Sequence, residues 1–132
     1  MLKSKIITGM LALVLPLTSF AAQLVTVNST DHDSTVLVSS TQRCSGKFGH
    51  YTGPSKPKDV ASLVEVRVLC GLVGKDGDCT ADMYDTRTCT GTKIATLTVN
   101  VPTLKVTVND VLDKAHYKVY VAADGAVHID KA

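Results

Sequence analysis

A chain of 132 residues with 14 basic and 12 acidic side chains has a net charge of only +2, too little for the basic footprint that nucleic acid or an anionic membrane surface requires. Six aromatic residues (four Tyr, two Phe) and no Trp supply poorly the flat stacking platform that sugar binding uses. The length suits one ordinary domain after a targeting segment.

That segment comes first. Lys3 and Lys5 form a positive start, Ile6 to Leu17 an apolar run loosened by Gly9 and Pro16, and Ser19-Phe20-Ala21 a small-residue cleavage signal. The run is about twelve residues, short of the roughly twenty that span a bilayer. Residues 1–21 therefore read as a signal peptide cut after Ala21, with no membrane span once it is removed and no Cys at the cut for lipid attachment. Residues 22–132 form the exported domain, secreted or periplasmic, and without Lys3 and Lys5 it holds 12 basic against 12 acidic residues.

The exported part is rich in Val and Thr, the composition of pleated strands. Alternating runs fall at Leu24–Asn28, Thr35–Ser39, Leu63–Cys70, Cys79–Tyr84, Lys93–Val101, Leu104–Val108, Tyr117–Ala122 and Ala126–Asp130. Short strands at this spacing predict an all-β fold, a small disulfide-bonded antiparallel β-sandwich of seven or eight strands. Asn28-Ser29-Thr30 is a glycosylation sequon, relevant only to a eukaryotic source. Asp31-His32-Asp33 reads as a solvated turn between the first two strands.

Ser45 to Asp59 carries Gly46, Gly49, Gly53, Pro54 and Pro57 and reads as a long loop. Gly46-Lys47-Phe48-Gly49-His50-Tyr51 within it has the composition of a recognition loop and lacks the glycine spacing of a phosphate loop. Lys47, Phe48, His50 and Tyr51 are the candidate binding residues.

An Asp76-Gly77 hairpin turn would place Cys70 opposite Met83 and line Val64, Val66, Val68, Cys70 and Leu72 on one apolar face with Cys79, Ala81 and Met83. Four cysteines in an exported domain, Cys44, Cys70, Cys79 and Cys89, read as two disulfides. Their spacings of 26, 9 and 10 lack the close pairs of a structural zinc site. In the hairpin register Cys70 and Cys79 lie about 13 Å apart along the ladder, beyond a disulfide's reach of about 7 Å. The expected pairs are then Cys79 with Cys89, across a small hairpin at Tyr84-Asp85-Thr86, and Cys44 with Cys70. At the C-terminus, a three-residue loop Ala123-Asp124-Gly125 with Gly125 left-handed pairs Val121 with Val127, Val119 with Ile129, Tyr120 with His128 and Lys118 with Asp130.

Leu104–Val108 followed by Asp113-Lys114-Ala115-His116-Tyr117 resembles the E-strand, corner and F-strand of immunoglobulin-like and fibronectin type III-like sandwiches. There Asp-x-Ala-x-Tyr leads into strand F and the Tyr hydroxyl bonds to nearby backbone. Asp113, Ala115 and Tyr117 occupy those positions, while Val119 stands where antibody domains carry a core Cys, and no core Trp exists. The resemblance implies a sandwich with an immunoglobulin-like topology and a bonded Tyr117 hydroxyl, and it implies no function.

Catalytic and metal patterns are sparse. The acidic stretch from Asp76 to Asp85 lacks the glycine and closing Glu of a calcium loop, and its alternate acids read as the wet face of a strand. His32, His50, His116 and His128 form no recognisable ligand spacing, and no Gly-x-Ser-x-Gly elbow is present. No cofactor, metal or catalytic residue is assigned. The expected function is a non-enzymatic exported binding protein, presenting loops to a protein or a cell-surface component. The alternatives are a small secreted hydrolase or metal-dependent enzyme centred on His32 or His50, and a structural subunit that assembles through strand edges.

Overall fold

A computed structural model describes residues 22–74 and 77–132; residues 1–21, expected as a signal peptide, and Asp76 of the expected hairpin turn lie outside the described residues. Among the described residues eight strands and one α-helix follow in chain order: β1 Gln23–Asn28, β2 Thr35–Val38, β3 Lys58–Ser62, α1 Leu63–Cys70, β4 Asp78–Tyr84, β5 Lys93–Asn100, β6 Lys105–Val111, β7 Tyr117–Val121 and β8 Val127–Lys131. They form two four-stranded sheets, ordered β3-β1-β8-β7 and β2-β4-β5-β6. The core lies between them. Met83, Ile94, Ala95, Val127 and Ile129 are sealed there, each 1% exposed or less. β4 shows how period-2 patterning builds this wall: Cys79, Ala81 and Met83 are buried, whereas Asp78 and Thr80 are exposed. The all-β sandwich expected from composition is the observed architecture.

The C-terminal hairpin has the register its side chains dictate. Val121 pairs with Val127, Tyr120 with His128, Val119 with Ile129 and Lys118 with Asp130. Gly125 sits at φ 89°, and its N–H donates to the Ala122 carbonyl at 2.9 Å. Tyr120 and His128 stack on the outer face, 5.3 Å between ring centroids.

Residues Leu63–Cys70 are a helix and not the expected strand. The Ser62 hydroxyl accepts from the Glu65 N–H at 3.2 Å, and the Glu65 carboxylate accepts from the Ser62 N–H at 2.8 Å. This capping box satisfies two otherwise orphaned donors and starts the helix. Burial follows the helical repeat: Val66, Leu69 and Cys70 face the core while Val64 and Val68 face solvent. The alternating valines had mimicked a strand.

The helix overturns the hairpin register and with it the expected cysteine pairing. The disulfides are Cys44–Cys89 and Cys70–Cys79, each with 6.0 Å between Cα atoms. Cys70 ends α1, and the tight turn Gly71–Gly74 begins the return toward β4, so the ladder offset never arises. Cys79 lies near the start of β4 and Cys89 beyond its far end, which separates the pair first expected to join.

Strand β3, of which Lys58 and Asp59 were expected to end the loop, pairs antiparallel with β1 from Gln23↔Ser62 to Val27↔Lys58. β1 also pairs in parallel with β8, Val27 opposite His128. The first two strands thus lie in different sheets, unlike the shared A and B strands of an immunoglobulin constant domain. Tyr117 is buried at the start of β7, yet no side-chain hydrogen bond reaches its hydroxyl among the described residues. The immunoglobulin likeness therefore stops at the sandwich. Asn28, in the sequon, is 2% exposed and its amide donates to the His32 carbonyl at 2.9 Å and to Thr52 Oγ1 at 3.3 Å. Among the described residues no helix is long and apolar enough to cross a membrane.

Candidate functional site

The loop between β2 and β3 is held from several sides. Cys44–Cys89 joins its start to the segment after β4. Ser45 is buried, and its hydroxyl accepts from the Val36 N–H at 3.0 Å. One 3-10 turn, Ser45–Phe48, ends at Gly49, whose φ of 82° suits the residue without a Cβ. Gly46 is required for a different reason: a Cβ there would come within 2.2 Å of the Arg87 carbonyl oxygen. The loop returns through an antiparallel bridge of Ser34 with Thr52.

His50 is the central fastener. Its Nδ1 lies 2.8 Å from Asp59 Oδ2 on β3, and its Nε2 lies 2.8 Å from Glu65 Oε2 on α1. Only imidazolium supplies a donor at both nitrogens, so the geometry suits the charged ring. Burial opposes that charge, but the bonds from Asp59 and Glu65 outweigh it and raise the His50 pKa. Glu65 is held below the usual carboxylate range by the Ser62 amide first and by His50 next. Lys56 Nζ completes the cluster, 2.9 Å from Asp59 Oδ1 and 3.1 Å from the Gly49 carbonyl.

A pH dependence follows. A group whose pKa rises on folding stabilises fully below its unfolded value, and the contribution fades as pH climbs through the folded value. Denaturant midpoints should therefore fall between the ordinary imidazole value, about 6.5, and the raised value of His50. In His50→Gln this part of the profile should flatten; an identical profile in both proteins would mean that the ring is not the group responsible.

The four candidate residues divide into two kinds. Two cations approach the Tyr51 ring, the Arg87 guanidinium 4.1 Å and Lys56 Nζ 4.8 Å from its centroid. Arg87 also reaches Asp33, 3.3 Å away. His50 and Tyr51 thus fasten the loop, whereas Lys47 is exposed and Phe48 keeps 46% of its surface in solvent. Sequence reasoning missed Asp59, Glu65, Lys56 and Arg87. The pattern Ser62-x-x-Glu65 ahead of an apolar run was the available signal for α1, and so for Glu65 beside the loop.

Residues 1–132 match the protein family described as T2SS substrate NttC. The chain belongs to the NttC family of type II secretion system substrates. It is accordingly a secreted protein. The crystal structure of the Legionella pneumophila type II secretion system substrate NttC is similar, with a TM-score of 0.65 and 22% identity over 84% of this chain and 98% of that chain. At that identity the likeness carries the fold and no residue roles. No curated protein matches the sequence.

The other histidines of this NttC-family chain lie apart from His50. His32 packs edge-on against Tyr117, and His116 Nδ1 lies 2.9 Å from Asp113. Asp31 pairs with Lys131 at 2.9 Å. Along the acidic stretch Asp82 meets Lys93 at 3.2 Å, and Asp78 accepts from Asn100 at 3.3 Å. Among the described residues no group of three or more His, Cys, Asp or Glu is arranged to hold a metal ion.

Proposed function

We propose that this NttC-family protein is a non-enzymatic secreted binding protein that presents the Lys47-Phe48 turn to a protein or cell-surface partner. The observation that carries the reading is Phe48, an aromatic side chain left 46% exposed on a loop that a disulfide and the His50 cluster hold in place. Aromatic anchors on pre-ordered loops bind without a large ordering cost. The hydrolase alternative centred on His50 is disfavoured by the same geometry. A general base needs one nitrogen open to a nucleophile, and both nitrogens of His50 face carboxylates.

The test separates the presented pair from the fasteners. Partners captured from host-cell or envelope extract with the wild-type protein are re-measured with Lys47→Ala/Phe48→Ala. Loss of a hot-spot aromatic costs about 2 kcal/mol or more, roughly a thirtyfold weakening, with the melting temperature nearly unchanged. His50→Ala/Tyr51→Ala should lower the melting temperature itself. Full binding by the Lys47/Phe48 variant would remove this loop as the contact surface.

A further inference from the structure

A second site lies away from the 45–57 loop and shares no residue with it. A cleft of about 470 Å³ opens where the turn after β1, the loop after β4 and the start of β7 meet, with His32, Asp85, Asp113, His116 and Tyr117 in its wall. Tyr117 is 95% buried as a residue, being 5% exposed, and two imidazoles, His32 and His116, meet its ring edge-on at 6.3 and 6.5 Å between centroids. Its hydroxyl has no hydrogen-bond partner among the described residues. Among the described residues no sealed side-chain nitrogen or oxygen lacks a partner, so this oxygen keeps some contact with solvent, and Tyr117 lines the cleft.

The charge in the cleft is unbalanced. Asp31 has a cation, Lys131, at 2.9 Å. Asp85 and Asp113 have no lysine or arginine within ion-pair distance among the described residues. Asp85 Oδ1 accepts from the Thr92 N–H at 2.9 Å, and Asp113 Oδ1 faces His116 Nδ1 at 2.9 Å. In each case the second carboxylate oxygen makes no side-chain hydrogen bond among the described residues. Tyr117, Asp85 and Asp113 all line this cleft, and burial first, then the charges of the two carboxylates, raise the Tyr117 pKa.

We propose that this cleft binds a small organic ammonium ion, a primary amine whose N–H groups are shared by Asp85, Asp113 and the Tyr117 oxygen. Two carboxylates without a lysine or arginine partner select a cation. A free phenol oxygen and the aromatic rings around it suit an ammonium carrying an alkyl stem. A divalent metal fits less well, since no group of three or more ligands converges among the described residues.

The mature, disulfide-bonded protein is titrated with n-propylammonium chloride while the ring signals of His32, His116 and Tyr117 are followed by NMR. Saturable shifts confined to these rings are expected, and they should be absent with 1-propanol or with sodium chloride at matched ionic strength. Asn keeps the carbonyl oxygen that Thr92 and His116 use, so Asp85→Asn/Asp113→Asn should fold and bind at least about tenfold more weakly. Tyr117→Phe loses no internal hydrogen bond and should weaken binding severalfold at an unchanged melting temperature. This variant decides the matter alone if the double variant does not fold. Non-saturating shifts, an equal response to propanol or sodium chloride, or full affinity in a folded double variant or in Tyr117→Phe would overturn the proposal. Tighter competing binding of calcium chloride would do so as well, by making the cleft a metal site.

Discussion

Serine at both Cys44 and Cys89 should lower stability by about 4 kcal/mol, against about 2.5 kcal/mol for the same change at Cys70 and Cys79. The asymmetry follows from chain entropy, because the two bridges span 45 and 9 residues and the longer loop restricts the unfolded chain more. A domain of this size has roughly 5 to 15 kcal/mol to lose, so the first pair alone brings many such folds near their threshold. Paired denaturation curves of the two double variants test the order. Cys44–Cys89 also anchors the loop, so its removal should speed amide exchange from Ser45 to Tyr51 ahead of global unfolding. Equal losses for the two bridges would mean that the unfolded chain is already structured around one of them.

Ile129→Ala should cost about 3 to 4 kcal/mol. Ile129 is 0% exposed and sits on β8 between two partners, opposite Asn28 on β1 and Val119 on β7. Truncation leaves a void that flanking strands cannot easily close, so the cavity adds to the lost transfer free energy. Leu72→Ala is the matched control: at 88% exposure it removes little buried surface and should stay within about 0.5 kcal/mol. A shift below about 1 kcal/mol for Ile129→Ala, at unchanged denaturant slope, would show that the centre of the sandwich is not packed around β8.

What could be read from sequence was whatever rested on short-range pairing. The register of β7 and β8 follows from matching Val119 and Val121 to Ile129 and Val127 across one loop, and β4 follows from strict alternation. The helix Leu63–Cys70 was misread because Val64, Val66 and Val68 satisfy a period of two, and only the burial of Leu69 beside Val66 and Cys70 reveals the other period. The cysteine pairing failed as a consequence, since its geometry was borrowed from that strand. At the site, the loop and its residue types were visible, but the division of labour was not. Whether His50 binds a partner or fastens the loop depends on Asp59 and Glu65, nine and fifteen positions away, and on an element whose type had been misassigned.

The parallel pairing of β1 with β8 has a bearing on the order of events in export. A chain delivered N-terminus first can form the β4-β5-β6 meander from neighbouring segments as each emerges. β1 can pair early with β3, but its other edge stays open until Val127 to Ile129 arrive from the last strand. That sheet therefore closes only after β8 has been delivered. A chain truncated or stalled before β8 would keep an unpaired β1 edge, which marks it as unfinished and as a ready substrate for quality-control proteolysis.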